Sequence, residues 1–147
     1  LYMKMERVCT MKFALPFLPL LFGHVINVSS DSEMTVIPLQ NVDIVDVAVT
    51  GERSFEVAHY VNGDEIFVEC YVSDFTYAED NYGSLPNDGE GHLRLYVDDE
   101  HVATLFTGAF IIKQLPKGEH ELKIVVAHND HSSYGLEKTI AVTIGSS

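Results

Sequence analysis

The sequence of 147 residues carries 9 Lys and Arg against 22 Asp and Glu, a formal charge of −13 at pH 7, and has room for one domain. With 46% hydrophobic and 10% aromatic residues it can fill a core, which excludes wholesale disorder. So large an acidic excess also excludes an electrostatic nucleic-acid footprint or a polybasic membrane patch, because both need clustered Lys and Arg.

In chain order the first expected element is a targeting signal over residues 1–30. Met11 and Lys12 make a positive start, residues 13–22 (FALPFLPLLF) an apolar stretch, and Val28 and Ser30 stand three and one positions before a cleavage at Asp31. That is the plan of a secretory signal peptide, with residues 1–10 upstream of it. A retained membrane anchor is the alternative. Pro16, Pro19 and His24 interrupt the run, which ends near Val28, short of the roughly 20 apolar residues a bilayer requires. Cleavage would leave 31–147, 117 residues with 6 Lys and Arg against 21 Asp and Glu, a charge of −15. Cys9 and the Asn27 sequon would go with the signal, and Cys70 would be a lone thiol with no intramolecular disulfide.

Beyond residue 31 helical periodicity is absent and alternation with period two takes over. Expected strands are 42–50, 55–60, 66–75, 92–98, 102–106, 110–115, 119–128 and 139–144. In 66–75, Ile66, Val68, Cys70 and Val72 face one way and Glu69, Tyr71 and Ser73 the other, as in a half-buried strand. In 92–98, Leu93, Leu95 and Val97 are expected inside, with His92, Arg94, Tyr96 and Asp98 outside. In 119–128, the residues His120, Leu122, Ile124, Val126 and His128 share a face. Turn chemistry separates the strands at Asn62-Gly63-Asp64, Asn87-Asp88-Gly89, Asp98-Asp99-Glu100, Pro116-Lys117-Gly118 and Tyr134-Gly135. About seven short strands at this spacing predict an all-β fold, an antiparallel two-sheet Ig-like β-sandwich over 31–147. A jelly roll or small barrel is the alternative topology.

The run Leu115-Pro116-Lys117-Gly118-Glu119-His120-Glu121-Leu122, followed by an apolar strand and His128-Asn129-Asp130-His131, is similar to the late strands of bacterial secreted Ig-like or fibronectin-III-like domains. Gly91-His92-Leu93-Arg94-Leu95-Tyr96-Val97-Asp98 with the later Asn129-Asp130-His131 looks like a group of small secreted domains. These read roughly Gly-His-x-His-Leu-Tyr-Val-Asp-Gly and end in Asn-Asp-His. The resemblance covers 91–144. This chain departs from it at Arg94, where a second His would stand, and at Asp99, where a turn Gly would. The first departure weakens any metal site the resemblance implies. An antibody-type domain is disfavoured, since there is no Trp and Cys70 has no Cys partner across the sandwich.

Seven histidines in an acidic chain invite a metal reading. His120 and His128 lie roughly 26 Å apart on one strand and cannot share an ion. The strand starting at His92 is expected beside the one ending at His128, which would gather His92, His128, Asp130 and His131 at one pole, a donor set suited to Cu(II) or Zn(II). The competing expectation is that these polar residues only cap strand ends. His120 is expected to reach back to its preceding turn, and Cys70 to be a buried hydrophobe. The long loop 76–91 offers Tyr77, Asp80, Tyr82, Asp88 and Glu90 as a ligand or partner surface. Ca2+ is a less favoured occupant, because the carboxylate spacing departs from the EF-hand loop. Nucleophile elbows, phosphate loops and dinucleotide fingerprints are missing from the sequence.

The expected function is therefore a secreted, periplasmic or extracellular, non-catalytic binding or structural module using the loops at one pole, with an extracellular protein or glycan as partner. A secreted Cu(II)- or Zn(II)-binding protein and a membrane-anchored accessory subunit are the alternatives.

Overall fold

The computed structural model describes residues 33–40 and 51–145. The expected signal segment, the expected strand 42–50, His24, the Asn27 sequon and Cys9 lie outside them. Among the described residues 62% are in strands, and no helix is long and apolar enough to cross a membrane.

Among the described residues nine strands follow one another: β1 (Thr35–Leu39), β2 (Phe55–Asn62), β3 (Glu65–Val72), β4 (Thr76–Tyr77), β5 (Glu90–Val97), β6 (Glu100–Leu105), β7 (Ala109–Lys113), β8 (Gly118–Ala127) and β9 (Ser133–Ile144), with a 3₁₀ turn at Glu79–Asn81. One sheet has the order β1-β7-β3-β2; the other runs β4-β5-β8-β9, with β6 paired to β5. All pairs are antiparallel except the short β4–β5 contact. Tight hairpins stay within a sheet, whereas the β3-to-β4, β6-to-β7 and β7-to-β8 connections cross between sheets. This is the Greek-key connectivity of an Ig-like sandwich, and the two separate sheets set aside the small barrel.

Period-two alternation builds the core. Ile66, Val68, Cys70 and Val72 of β3, with Phe110 and Ile112 of β7, face Leu93, Leu95 and Val97 of β5 and Leu122, Ile124 and Val126 of β8. Polar and half-exposed residues alternate with them, as the pleat requires. Cys70 is a buried free thiol, pushed up to about 12 mainly by loss of hydration, so it stays protonated and packs as a small hydrophobe. The β5–β6 hairpin turns on Asp98 and Asp99, both at positive φ (50° and 68°). Two such central residues make a type I′ turn, which Asp tolerates.

Several boundaries differ from the sequence reading. β1 was not anticipated: it is an edge strand, exposed along most of its length, where Pro38 is tolerated and alternation carries no signal. β9 starts at Ser133 rather than 139, because Gly135 (φ 79°) sits within an irregularity that sets Val125↔Glu137 and Ala127↔Ser133 instead of ending the strand. β3 stops at Val72, and Asp74 turns at φ 49°.

His120 fastens the pole opposite the long loop. Its Nδ1 donates to Asp98 Oδ2 and its Nε2 to Pro116 O, both at 2.7 Å, so it does reach back to the preceding turn. Asp98 Oδ1 also accepts the Glu121 N–H at 2.9 Å. Two acceptors require both ring nitrogens to donate, hence the imidazolium. The bond to Asp98 raises the His120 pKa, while the Glu121 and His120 bonds hold Asp98 below the usual carboxylate range. A raised folded-state histidine contributes stability below the ordinary imidazole pKa and loses it as pH rises through the raised value. A depressed Asp contributes above its ordinary pKa and loses it as pH falls through the lowered one. Stability should therefore depend most on His120 between about pH 4 and 6.5. Melting curves of the wild type and His120→Gln across pH 4–9 check this: the gap should be widest in that window and shrink toward pH 9. A gap that does not change with pH would refute the clasp.

Candidate functional site

The loop between β4 and β5 folds onto the β8–β9 turn because backbone and side chains tie it there at several points. Gly83 N–H donates to Asn129 O at 2.7 Å, and Ala78 N–H to Gly91 O at 3.0 Å. Glu90 Oε2 accepts from Asn81 Nδ2 at 2.9 Å and Asn129 Nδ2 at 3.1 Å. These bonds, that of Asn129 foremost, hold the Glu90 pKa down, so it is an ionised organiser of the loop.

Tyr134 forms a second tie. Its hydroxyl donates to Glu90 O at 2.7 Å and accepts from Gly89 N–H at 3.1 Å. The Tyr134 ring stacks on His128, centroids 3.5 Å apart, and lies 5.0 Å from the Arg53 guanidinium. Arg53 in turn donates through both terminal nitrogens to Asp88, at 3.2 and 3.4 Å. That bidentate bond holds the Asp88 carboxyl low.

A third group is aromatic. Tyr82 stacks on His131 at 4.4 Å and meets His92 at 5.0 Å and Phe106 at 5.6 Å edge-on. The period-two reading sent His92 outward. The structure keeps it on the face opposite Leu93 yet buries it to 1% exposure, because Tyr82 and Phe106 cover that face. Phe106 also borders an open groove of about 610 Å³ whose lining includes Leu39, Gln40, Glu79, Thr104 and Thr107. That volume is within the range of small-ligand sites.

The residues singled out from sequence thus take separate positions. His92 and His131 come together, with ring centroids 5.5 Å apart. His128 goes to Tyr134 instead, and Asp130 caps the turn, accepting from the N–H and hydroxyl of Ser132. These Ser132 bonds hold the Asp130 carboxyl below its ordinary range. Among the described residues no three of His, Cys, Asp or Glu are grouped so as to hold a metal ion. In the loop, Tyr77 packs edge-on against Phe75 at 5.2 Å, burial raising its pKa. Asp80 is exposed on the 3₁₀ turn, and Tyr82 remains 47% exposed above the cluster. Asp88 and Glu90 are engaged by Arg53 and by the two asparagines, which occupies carboxylates that a Ca2+ reading would need.

The sequence reading missed Arg53, Phe106 and the bonding roles of Asn129 and Tyr134. Arg53 and Phe106 reach the pole through long-range packing, for which no local pattern exists. Asn129 and Tyr134 stood only in a turn and a motif. No protein-family model matches the chain, and no curated protein matches it. Among solved structures, the Clostridium perfringens spore cortex lytic enzyme SleM is similar over 59% of this chain and 26% of its own, at 17% identity and a TM-score of 0.42. The match therefore spans about a quarter of SleM. Fibronectin(III)-like modules of Clostridium thermocellum CbhA are similar over 60% of this chain and 96% of theirs, at 10% identity and a TM-score of 0.40.

Proposed function

We propose that this domain is a secreted, non-catalytic binding module that takes an extracellular glycan in the groove beside Phe106. The observation that carries the reading is the groove of about 610 Å³ at the foot of an aromatic cluster. A pyranose ring has an apolar C–H face that suits Phe106, while its hydroxyls suit the Glu79 carboxylate, the Gln40 amide and the Thr104 hydroxyl. The bonds from Asn129, Asn81 and Tyr134 preorganise the loop bearing Tyr82, which lowers the entropy lost on binding. The non-catalytic part is supported by ionisation. Asp88, Glu90, Asp98 and Asp130 all depart downward from their usual pKa, the opposite of what a general acid requires, and the Cys70 thiol is buried and protonated. Secretion rests on the apolar run 13–22.

Calorimetric titration of the protein with cellohexaose, xylohexaose and chitohexaose tests the reading. One of the three should bind, and Phe106→Ala should weaken it about tenfold, as the loss of one ring contact of roughly 1.4 kcal/mol would. Silence from all three, or binding indifferent to Phe106, defeats the glycan reading. A protein partner is the second reading, favoured by Leu85, which stands 86% exposed on the same loop.

A further inference from the structure

His92 presents an unresolved polar demand. It is 1% exposed, and among the described residues neither Nδ1 nor Nε2 has a hydrogen-bond partner. A neutral imidazole has one N–H to donate and one lone pair to share, and burying such a group unsatisfied costs about 1–3 kcal/mol. Its surroundings are rings: Tyr82 at 5.0 Å, Phe106 at 5.7 Å and His131 at 5.5 Å, the last with planes crossed at 81°.

His131 is held in place independently. Its backbone adopts φ 74° in the β8–β9 turn, its N–H donates to His128 O at 2.9 Å, and Tyr82 stacks on its ring. It is exposed where His92 is buried, so it stands on the solvent side of the pair. An ion about 2.0–2.1 Å from an imidazole nitrogen lies about 3.2 Å from that ring's centre, so two rings ligating in line have centres about 6.4 Å apart, and two rings of a three-coordinate ion, at about 120°, have centres about 5.5 Å apart. The His92–His131 spacing of 5.5 Å is of that size.

We propose that His92 and His131 form a two-imidazole site for a single Cu(I) ion, three-coordinate with a solute ligand on the exposed side of His131 and entered past Tyr82. The donor set selects the ion. Both ligands are imidazoles, and the neighbouring carboxylates are committed elsewhere, Asp130 to Ser132 and Glu90 to Asn81 and Asn129. Zn(II) takes four ligands in a closed site, whereas monovalent copper accepts two or three and favours nitrogen or sulfur over hard oxygen. A single positive charge is also far less costly than a double one to move beneath Tyr82 and Phe106, since the desolvation penalty grows with the square of the charge. His92 has no hydrogen-bond partner among the described residues, so its lone pair is available to an ion without a bond being broken. The site does not depend on the glycan reading, because His131 lies outside the groove.

The test is an anaerobic titration of the full chain with Cu(I) against the chromophoric chelator bicinchoninate, with Zn(II) run in parallel against a zinc indicator. The expected result is one Cu(I) per chain, with affinity falling at least 100-fold in His131→Asn, a residue that tolerates the positive φ, and in His92→Leu. His128→Asn should leave it unchanged. Cys9 and Cys70 are common to every variant, so the differences report the imidazoles alone. His131 is exposed, so its variant tests the site without altering the buried side of the cluster. Affinity equal in wild type and His131→Asn would overturn the proposal, as would Zn(II) bound as tightly as Cu(I) at the same residues.

Discussion

Gly91→Ala is expected to destabilise the domain by about 3 kcal/mol and to lower its melting temperature by roughly 10–20 °C. A Cβ at residue 91 would lie 1.8 Å from Ala127 O, 2.9 Å from its carbonyl carbon and 3.3 Å from His128 Cα. All three atoms are backbone, so no rotamer change relieves the overlap. Two of them belong to Ala127, the last residue of β8, a strand paired on both sides through His92↔Ala127 and Ala127↔Ser133, and moving it breaks one ladder or the other. Gly91 also accepts the Ala78 N–H and pairs with Tyr77 of β4, so any shift carries the loop and Tyr82 with it. Gly51→Ala is the control: nothing lies within 4 Å of its added methyl, and its effect should stay within about 0.5 kcal/mol. Thermal and urea melts of both variants decide the matter. A loss under about 1 kcal/mol for Gly91→Ala would mean that β5 and β8 separate easily at this pole, contrary to the close approach seen.

That close approach explains what the sequence could and could not reveal. Strands with one face in the core announce themselves by period two, and β3, β5 and β8 were legible for that reason. β1 and the first half of β9 were not. β1 is exposed along most of its length and holds Pro38, and in β9 the exposed Lys138 interrupts the row that Tyr134, Leu136, Ile140 and Val142 otherwise form, while Gly135 reads as a turn. The pole where His92 and His131 meet was also within reach, because antiparallel neighbours bring the start of one strand beside the end of the next. The grouping of side chains there was beyond reach. Whether His128 turns to His92 or to Tyr134, and whether His92 on the outer face is bare or covered, depends on Tyr82 and Phe106, which arrive from other loops. Alternation assigns a face; it does not report what lies over it.

His92→Leu is expected to stabilise the metal-free protein, and more so in acid. Leucine fills a similar volume among Tyr82, Phe106 and His131 and removes two buried nitrogens that have no partner among the described residues, a gain of about 1 kcal/mol at pH 7.5. The pH dependence follows from linkage. The folded-state pKa is depressed to about 4, against an ordinary value near 6.5. As pH falls from about 6.5 toward 4 the unfolded chain takes up a proton that the folded chain refuses, so the wild type loses stability across that window and regains it as pH rises. Leucine has no proton to take up. The advantage of the variant should therefore widen by about 1–3 kcal/mol between pH 7.5 and pH 4.5, read from urea unfolding of both proteins in the presence of EDTA and bicinchoninate. Destabilisation by leucine at both pH values would mean that the imidazole satisfies a contact of its own. Stabilisation by leucine at both pH values would mark His92 as a residue kept for something other than folding, which is what the proposed two-imidazole site requires.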